Sequence, residues 1–243
     1  MNPVLAATAT HIGEQVLHQP TADVLNFSVH PMAMIGLLAA MGLAPFVVLM
    51  LTSFAKMSVV LGITRNALGS PSLPPTTVLT GLAVILSAHV MFPVAQDMYD
   101  AGKAAYEQAS AGDEFGGALH AGAVAVGPLR AFLLKHGHED DRAMFLDLAR
   151  QLRGPERAKE VTENDLVVVV PAFVISELKS AFQIGFLIFL PFLVVDMLVA
   201  NVLMALGMST LSPTQVSLPF KLLLFVMVDG WHLLAQGLVL GYR

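Results

Sequence analysis

Three stretches of apolar residues, separated by polar or proline-rich segments, dominate the pattern along the chain. The first lies between Asp23 and Lys56 and the second between Arg65 and Asp97, and neither contains Asp, Glu, Lys or Arg. The third begins at Leu166 and continues with few charges to the last printed residue. Because a membrane-spanning helix needs about 20 apolar residues, each stretch can supply at least one such helix.

Proline and glycine positions set the predicted ends of these helices. The run Met32–Leu51 predicts a first helix, with a kink or an end at Pro45. The proline-rich segment over residues 70–75 cannot continue a helix but can start one, which predicts a second helix over residues 76–91. After Leu166, segments 180–195 and 197–220 predict a hairpin that turns within Gly207-Met208-Ser209-Thr210-Leu211-Ser212-Pro213.

Residues 97–164 hold 20 of the chain's 31 formal charges. In this polar stretch, Asp140-Asp141 precede apolar residues at helical spacing, which predicts an amphipathic helix that ends at Gly154-Pro155. The Gly- and Ala-rich segment from Gly112 to Gly127 predicts a loop. The sequence thus predicts an all-α fold of long apolar helices and helical hairpins with a small helical polar insert. Its regions are a polar leader (1–30), N-terminal apolar helices (31–96), a polar insert (97–164) and a C-terminal apolar hairpin region (165–243).

Two features of the charge distribution bear on topology. Residues 1–31 contain no Lys or Arg, so the basic region of a cleavable signal peptide is missing, and we expect the polar leader to stay on the chain. Lys56 and Arg65 flank the connector between the first two apolar segments, which by the positive-inside tendency lies in the cytoplasm. The polar insert is then expected on the periplasmic or outer side.

Ionisable residues inside the third apolar stretch are expected to have partners or a function. An Asp or Lys within a membrane helix costs about 2.5–3.5 kcal/mol on insertion scales. Asp196 and Lys221 lie at similar distances from the predicted turn, so we expect them to pair within one hairpin or between adjacent copies. Exchanging the two charges should then restore what each single change loses. Asp229, about two helical turns beyond Lys221, could compete for the lysine of a neighbouring copy.

The overall composition excludes several classes of protein. Of the 243 residues, 56% are hydrophobic and 13% are charged, which is far more apolar than a soluble domain. The net charge of −5 and the scattered basic residues exclude a nucleic-acid-binding footprint. With no cysteine, disulfides, iron–sulfur clusters and thiolate zinc sites are excluded. No glycine-rich phosphate loop is present, and we expect no cofactor.

Weak catalytic and metal patterns leave alternatives open. Ser176 and Lys179 have the spacing of a serine–lysine catalytic pair, but Glu177 and Lys179 are more simply interpreted as charges at a membrane boundary. The segment His136–Asp141 does not match a known metal-ligand spacing and predicts a solvated loop. Beside a non-enzymatic channel subunit, the intramembrane charges favour a small-solute transporter or ion channel, and a membrane serine hydrolase is a third possibility.

Longer motifs resemble the FliP/SctR family of flagellar and type III secretion export proteins. The resemblance rests on Thr52-Ser53-Phe54-Ala55-Lys56, on Arg65-Asn66-Ala67-Leu68-Gly69, on Pro171-Ala172-Phe173-Val174-Ile175-Ser176-Glu177-Leu178, on Leu218-Pro219-Phe220-Lys221 and on Asp229-Gly230-Trp231. It covers nearly everything from Pro45 to Tyr242. The stretch Arg130–Lys135 and the short segment after Trp231 are more similar to the virulence-type branch than to the flagellar one.

The resemblance implies a core subunit of an export gate in the bacterial inner membrane, without enzymatic activity. Family members form a homo-oligomer, a pentamer, with SctS/FliQ-like, SctT/FliR-like and SctU/FlhB-like subunits, and unfolded secreted proteins pass through the centre. The assembled cone lies largely on the periplasmic side of the bilayer. A methionine-rich loop closes the pore in the family. The corresponding loop here is Met208-Ser209-Thr210-Leu211, and Phe182, Met204 and Phe220 are candidates for pore or inter-subunit packing.

Overall fold

A computed structural model describes residues 31–70, 74–108, 114–154, 157–208 and 210–243 of the chain. The predicted leader, residues 1–30, lies outside the described residues. Within the described ranges every regular element is helical, which confirms the all-α prediction. The helices are α1 (Pro31–Met50), α2 (Phe54–Leu68), α3 (Thr76–Gln108), α4 (Glu114–His136), α5 (Glu139–Leu152), α6 (Leu166–Ala205), α7 (Pro213–Met227) and α8 (Gly230–Leu240), with a 3₁₀ turn at Arg157–Glu160.

The described residues divide into two units, one that ends at Pro45 and one that begins at Phe46. Their boundary lies inside α1, which continues past Pro45 to Met50 instead of ending at the proline. The boundary predicted after residue 96 falls inside α3, which is continuous from Thr76 to Gln108 and so is longer than the predicted helix over 76–91. The division at residues 96 and 164 therefore remains a prediction drawn from composition.

The segment from Gly112 to Gly127 was wrongly predicted as a loop, because α4 already begins at Glu114. Alanine is the strongest helix former and offsets the glycines between which it is interspersed here. Small residues also let α4 pack closely against α3: a Cβ added at Gly102 would lie 3.1 Å from the Cβ of Ala125. The tertiary contact between α3 and α4 thus stabilises a helix that local propensity alone leaves uncertain.

The amphipathic helix predicted after Asp140-Asp141 is confirmed as α5. Its acidic first turn suits the positive end of the helix dipole. On its inner face, Leu146 packs with Val161 and with Val168 of α6 in a small separate hydrophobic cluster. This cluster attaches the polar insert to the start of α6.

The longest helix is α6, with 40 residues, and α2, α4, α5 and α7 all pack against it. Pro171 and Pro191 lie inside it without ending it. The main core forms where α2 crosses α6: Met57 and Val60 are fully buried with Phe173. The buried residues of α2 recur at intervals of three and four, the spacing of a helix with one apolar face against a neighbour.

Most apolar surface of the long helices is not covered by the chain itself. In the most apolar 18-residue window of α6, only 11% is buried. Among the described residues, three helices are long and apolar enough to cross a membrane: α3, residues 116–136 of α4, and α6. The number rises to five if two bent helix pairs each count as one span. Large exposed apolar faces of this kind mark contact with lipid or with other subunits.

A tight turn joins α6 to α7 and is formed by a Schellman motif, in which two backbone N–H groups close the end of a helix. Gly207 has φ of +73° and its N–H donates to the carbonyl of Met204, and the N–H of Met208 donates to the carbonyl of Leu203 at 2.9 Å. Pro213 then opens α7 at a position where a helix tolerates proline. The hairpin predicted to turn within residues 207–213 is thus present.

We expect Gly207→Ala to lower the free energy of unfolding by about 1–2 kcal/mol, because an alanine pays for the left-handed conformation. Gly237→Ala is the matched control. A Cβ meets nothing within 4 Å at either glycine, but Gly237 lies inside α8, so alanine there should be neutral or stabilising. Unfolding of both variants in detergent micelles measures the difference. Equal effects would contradict this account of the turn.

Candidate functional site

The loop between α6 and α7 presents apolar side chains at the end of the hairpin. Met208 and Leu211 are each 48% exposed, and Thr210 is exposed as well. Ser209, which the sequence analysis grouped with them, lies outside the described residues. Since the Schellman hydrogen bonds hold the backbone at Met208, its flexible thioether side chain projects from a defined point.

Three apolar side chains proposed for pore or inter-subunit packing lie on the two hairpin helices, α6 and α7. Phe182 and Met204 belong to α6 and Phe220 belongs to α7, and each is more than half exposed. Their exposure leaves them available to a neighbouring molecule. Nothing in the fold of the single chain requires large apolar groups at these positions.

Asp196 and Lys221 lie together within one hairpin. The Nζ of Lys221 is 2.6 Å from a carboxylate oxygen of Asp196, and it also donates to the carbonyl of Ala67, at 3.0 Å. Ser217, one turn before Lys221, donates its hydroxyl to the other carboxylate oxygen. The side chain of Lys221 is 2% exposed and that of Asp196 is 26% exposed. The pair thus joins α6, α7 and the end of α2.

Asp229 lies apart from this pair. It is exposed, it precedes α8, and its backbone is in the left-handed region with φ of 52°. Among the described residues no cation lies within ion-pair distance of its carboxylate. Within a single chain, the network predicted from three charges is therefore a pair, and Asp229 marks a backbone corner.

A second buried ion pair was not predicted from the sequence. Glu177 of α6 is 1% exposed, and one of its carboxylate oxygens is 2.8 Å from the Nζ of Lys56 on α2. Tyr242, two residues beyond α8, donates its hydroxyl to the other oxygen, and the ammonium group of Lys56 lies 4.0 Å from the centre of the tyrosine ring. Burial, together with the adjacent Glu177 carboxylate, raises the pKa of the Tyr242 hydroxyl, which keeps it a donor.

This pair corrects two interpretations made from the sequence. Glu177 is not a charge at a membrane boundary, since it lies in the core of the protein. Lys56 is part of α2 and is also buried, so it is not a loop charge that can determine topology by the positive-inside tendency. The available signal was the isolation of one Lys and one Glu in otherwise apolar surroundings, which implies that each needs a partner.

Ser176 and Lys179 belong to a polar cluster centred on Asp141 of α5. The hydroxyl of Ser176 donates to Asp141 at 2.8 Å and accepts the backbone N–H of His138, and Lys179 pairs with the same carboxylate. Burial alone would raise the pKa of Asp141, but the hydrogen bonds from Lys179 and Ser176 hold it below its usual value. Lys179 and Ser176 thus both contact the Asp141 carboxylate, which is not the arrangement of a serine nucleophile with lysine as its base.

Within the part of the chain that the structure describes, no group of three or more His, Cys, Asp or Glu side chains is arranged to hold a metal ion. The segment from His136 to Asp141 does not form the predicted solvated loop throughout: Asp141 is buried inside α5. The buried charges Lys56, Glu177 and Lys221 are instead each paired with a charge on another helix. Their arrangement can hold helices in register, with exposed apolar surface left for other molecules.

Comparison with known proteins identifies the family of this sequence. The model of the FliP family matches residues 37–238. The chain belongs to the FliP family. The match includes the ion-pair carboxylates Glu177 and Asp196 and the loop at Met208.

Relatives come from both secretion and flagellar systems. The hypersensitivity response secretion protein HrcR of Ralstonia nicotianae is 44% identical over 213 residues, which are 87% of this chain and 97% of that protein. The Yop proteins translocation protein R of Yersinia pestis is 41% identical over 84% of this chain and 93% of its own length. The flagellar biosynthetic protein FliP of Caulobacter vibrioides is 46% identical over 86% of this chain and 76% of its own length.

The contacts of this FliP-family chain predict an asymmetry in its hairpin pair. Asp196→Asn leaves the wholly buried Lys221 without a counter-charge, and we expect a loss of about 3–5 kcal/mol in the free energy of unfolding. Lys221→Met should cost less, because Asp196 is partly exposed and keeps the Ser217 hydrogen bond. The double neutral variant should recover most of the loss. Exchanging the charges, which from the sequence alone was expected to restore the loss, should not do so, because a carboxylate at position 221 would face the Ala67 carbonyl.

Unfolding of the purified variants in detergent micelles measures these differences. Lys103→Met is the control, because the Lys103–Glu107 pair is exposed, with 4.0 Å between its charged atoms, and should contribute less than about 1 kcal/mol. Equal losses from the two single changes, or no recovery in the double variant, would mean that the pair does not determine the stability of the hairpin.

Proposed function

We propose that the chain is a subunit of the type III secretion export gate, where it forms a channel for unfolded protein substrates together with sister copies and partner subunits. The observation that carries the proposal is the family match over residues 37–238, with relatives named for secretion, translocation and flagellar biosynthesis. The uncovered apolar faces of the long helices support it, because they require lipid or other subunits.

The proposed assembly is a pentamer of this chain joined by SctS/FliQ-like, SctT/FliR-like and SctU/FlhB-like subunits. It lies in the bacterial inner membrane, and the assembled gate lies largely on the periplasmic side. Close similarity to HrcR and to the Yop translocation protein over nearly their whole lengths supports a virulence-type system. The Asp141–Lys179 pair supports a role without catalysis, since it occupies the lysine that a serine hydrolase would use.

In this gate, the loop at Met208 closes the centre. Met208 and Leu211 project from a turn whose backbone is held at the end of α6, while their side chains are half exposed. One such loop from each copy around an axis would place a ring of flexible apolar side chains at one level. Thioether side chains adapt to varied surfaces, so such a ring can seal when empty and yield to a passing polypeptide.

Purification of the chain after co-expression with SctS/FliQ-like, SctT/FliR-like and SctU/FlhB-like subunits tests the assembly. We expect one large complex that contains several copies of the chain together with those subunits. The chain reconstituted alone in vesicles should give no flux of small solutes. A self-sufficient flux from the chain alone, without recruitment of partners, would overturn the proposal in favour of a small-solute transporter or ion channel.

Met208→Ala should raise the leakage of small molecules across the membrane of cells whose assembled gate is not secreting. The ring of loops around the axis would lose its flexible methionine side chains. Met144→Ala is the matched control: it removes a similarly exposed methionine from α5 in the polar insert. Permeability of both strains to a small dye, measured beside secretion of a native substrate, makes the comparison. Unchanged permeability in Met208→Ala would assign the seal to other residues, such as Leu211 or Phe220.

A further inference from the structure

The corner between α7 and α8 is backbone-strained. Asp229 has φ of 52° and ψ of 52°, and among the described residues it is the only one other than glycine with positive φ. An L residue persists there only where its surroundings hold it. At this corner the two helices meet at a bend of 61°. We call residues Val228–Gly230 the hinge.

Packing at the hinge accounts for only part of what keeps Asp229 in its left-handed conformation. A Cβ added at Gly230 would lie 2.3 Å from the ring of Phe225, so the chain passes that ring as closely as glycine allows. Trp231 meets the same ring edge-on, with 5.0 Å between ring centres. Trp231 is nonetheless 39% exposed, so the contact between its ring and that of Phe225 is only partly buried.

Beyond the hinge, α8 is attached along a narrow stripe. Gly230, Leu234 and Leu238 are buried at four-residue intervals, while Leu233 and Leu240 are at least half exposed. A single stripe on an 11-residue helix buries little apolar surface compared with the core around α2 and α6. The attachment of α8 therefore needs a further anchor at its far end.

That anchor is the buried cluster of Tyr242, Glu177 and Lys56, which we call the latch. The tyrosine hydroxyl donates to Glu177, and the Lys56 ammonium lies over the ring. The ring also lies 5.9 Å from that of Phe132 and 5.0 Å from that of His136, both on α4. The side chain of Tyr242, beyond α8, thus contacts α2, α4 and α6. Among the described residues, the rest of α8 makes no comparable polar contact with these three helices.

We propose that α8 is a latched arm: the Tyr242–Glu177–Lys56 latch holds it bent against the strained hinge, and release of the latch lets α8 leave the core and align with α7. When aligned, residues 213–240 form one continuous apolar helix of about 42 Å at 1.5 Å per residue. Together α7 and α8 are apolar enough for one membrane span. The proposal concerns the conformations of this chain and does not depend on the export role.

The absence of cysteine from the sequence makes thiol labelling a direct test of the arm. Leu234→Cys places the probe on the buried stripe of α8, and Leu233→Cys places a control probe on its exposed face. Leu61→Cys, on the buried face of α2, reports any general opening of the core. Each probe is introduced into the full chain in detergent micelles, and its rate of reaction with N-ethylmaleimide is measured.

Tyr242→Phe removes only the hydroxyl, and we expect it to raise the labelling rate at Leu234→Cys about tenfold, as fits the loss of a hydrogen bond to a charged group. The rates at Leu233→Cys and Leu61→Cys should stay the same. Tyr99→Phe, a change at a well-exposed tyrosine, should leave all three rates unchanged. An unchanged rate at Leu234→Cys, or parallel opening at Leu61→Cys, would overturn the proposal and make Tyr242 an ordinary core residue.

The hinge is tested by two opposite substitutions in the Tyr242→Phe background. Asp229→Gly removes the strain of the left-handed conformation, so it should stabilise the bent arm and slow labelling at Leu234→Cys. Asp229→Ala increases the strain, because aspartate tolerates this conformation better than alanine, and it should speed labelling. The same direction of change in both variants would show that the hinge stores no strain and would overturn this part of the proposal.

Discussion

Every charge buried among these apolar helices must have a partner, and α6 supplies one residue of each ion pair that involves a buried charge. Glu177 pairs with Lys56 of α2, Lys179 with Asp141 of α5, and Asp196 with Lys221 of α7. A buried ion pair adds little net stability over well-packed apolar side chains, but leaving one partner alone is costly. Apolar contacts alone would allow one helix to slide along another by a helical turn, but the ion pairs would be broken by such a shift. Three helices are thereby held in register along one axis.

The features that the sequence predicted well are those that depend on neighbouring residues. The amphipathic spacing after Asp140-Asp141 and the stop before Gly154-Pro155 define α5 as observed. The turn between α6 and α7 follows from Gly207 and Pro213, each suited to its local backbone. Asp196 and Lys221 were identifiable as partners because the hairpin connects them directly, so their distances from a single turn determine whether they meet.

The errors arise where distant packing overrides a local signal. Alanines that contact α3 turn the glycine-rich segment before residue 127 into helix α4, and no local pattern reveals that contact. Lys56 and Glu177 lie in different apolar stretches, so their pairing requires the packing of α2 on α6, which periodicity does not specify. The same packing removes Lys56 from the loop charges on which the topology prediction relied.

The two prolines inside α6 have a consequence for whatever covers that helix. Proline has no N–H, so the carbonyl oxygens of Val167 and Leu187, four residues before Pro171 and Pro191, lack their usual intrahelical donors. Both residues are more than half exposed. A bare acceptor facing hydrocarbon is unfavourable, so a surface that seals against α6 at these two levels must offer water, a hydroxyl or an amide there. An entirely apolar neighbour would fit the shape of α6 and still leave these two carbonyl oxygens without a hydrogen-bond donor.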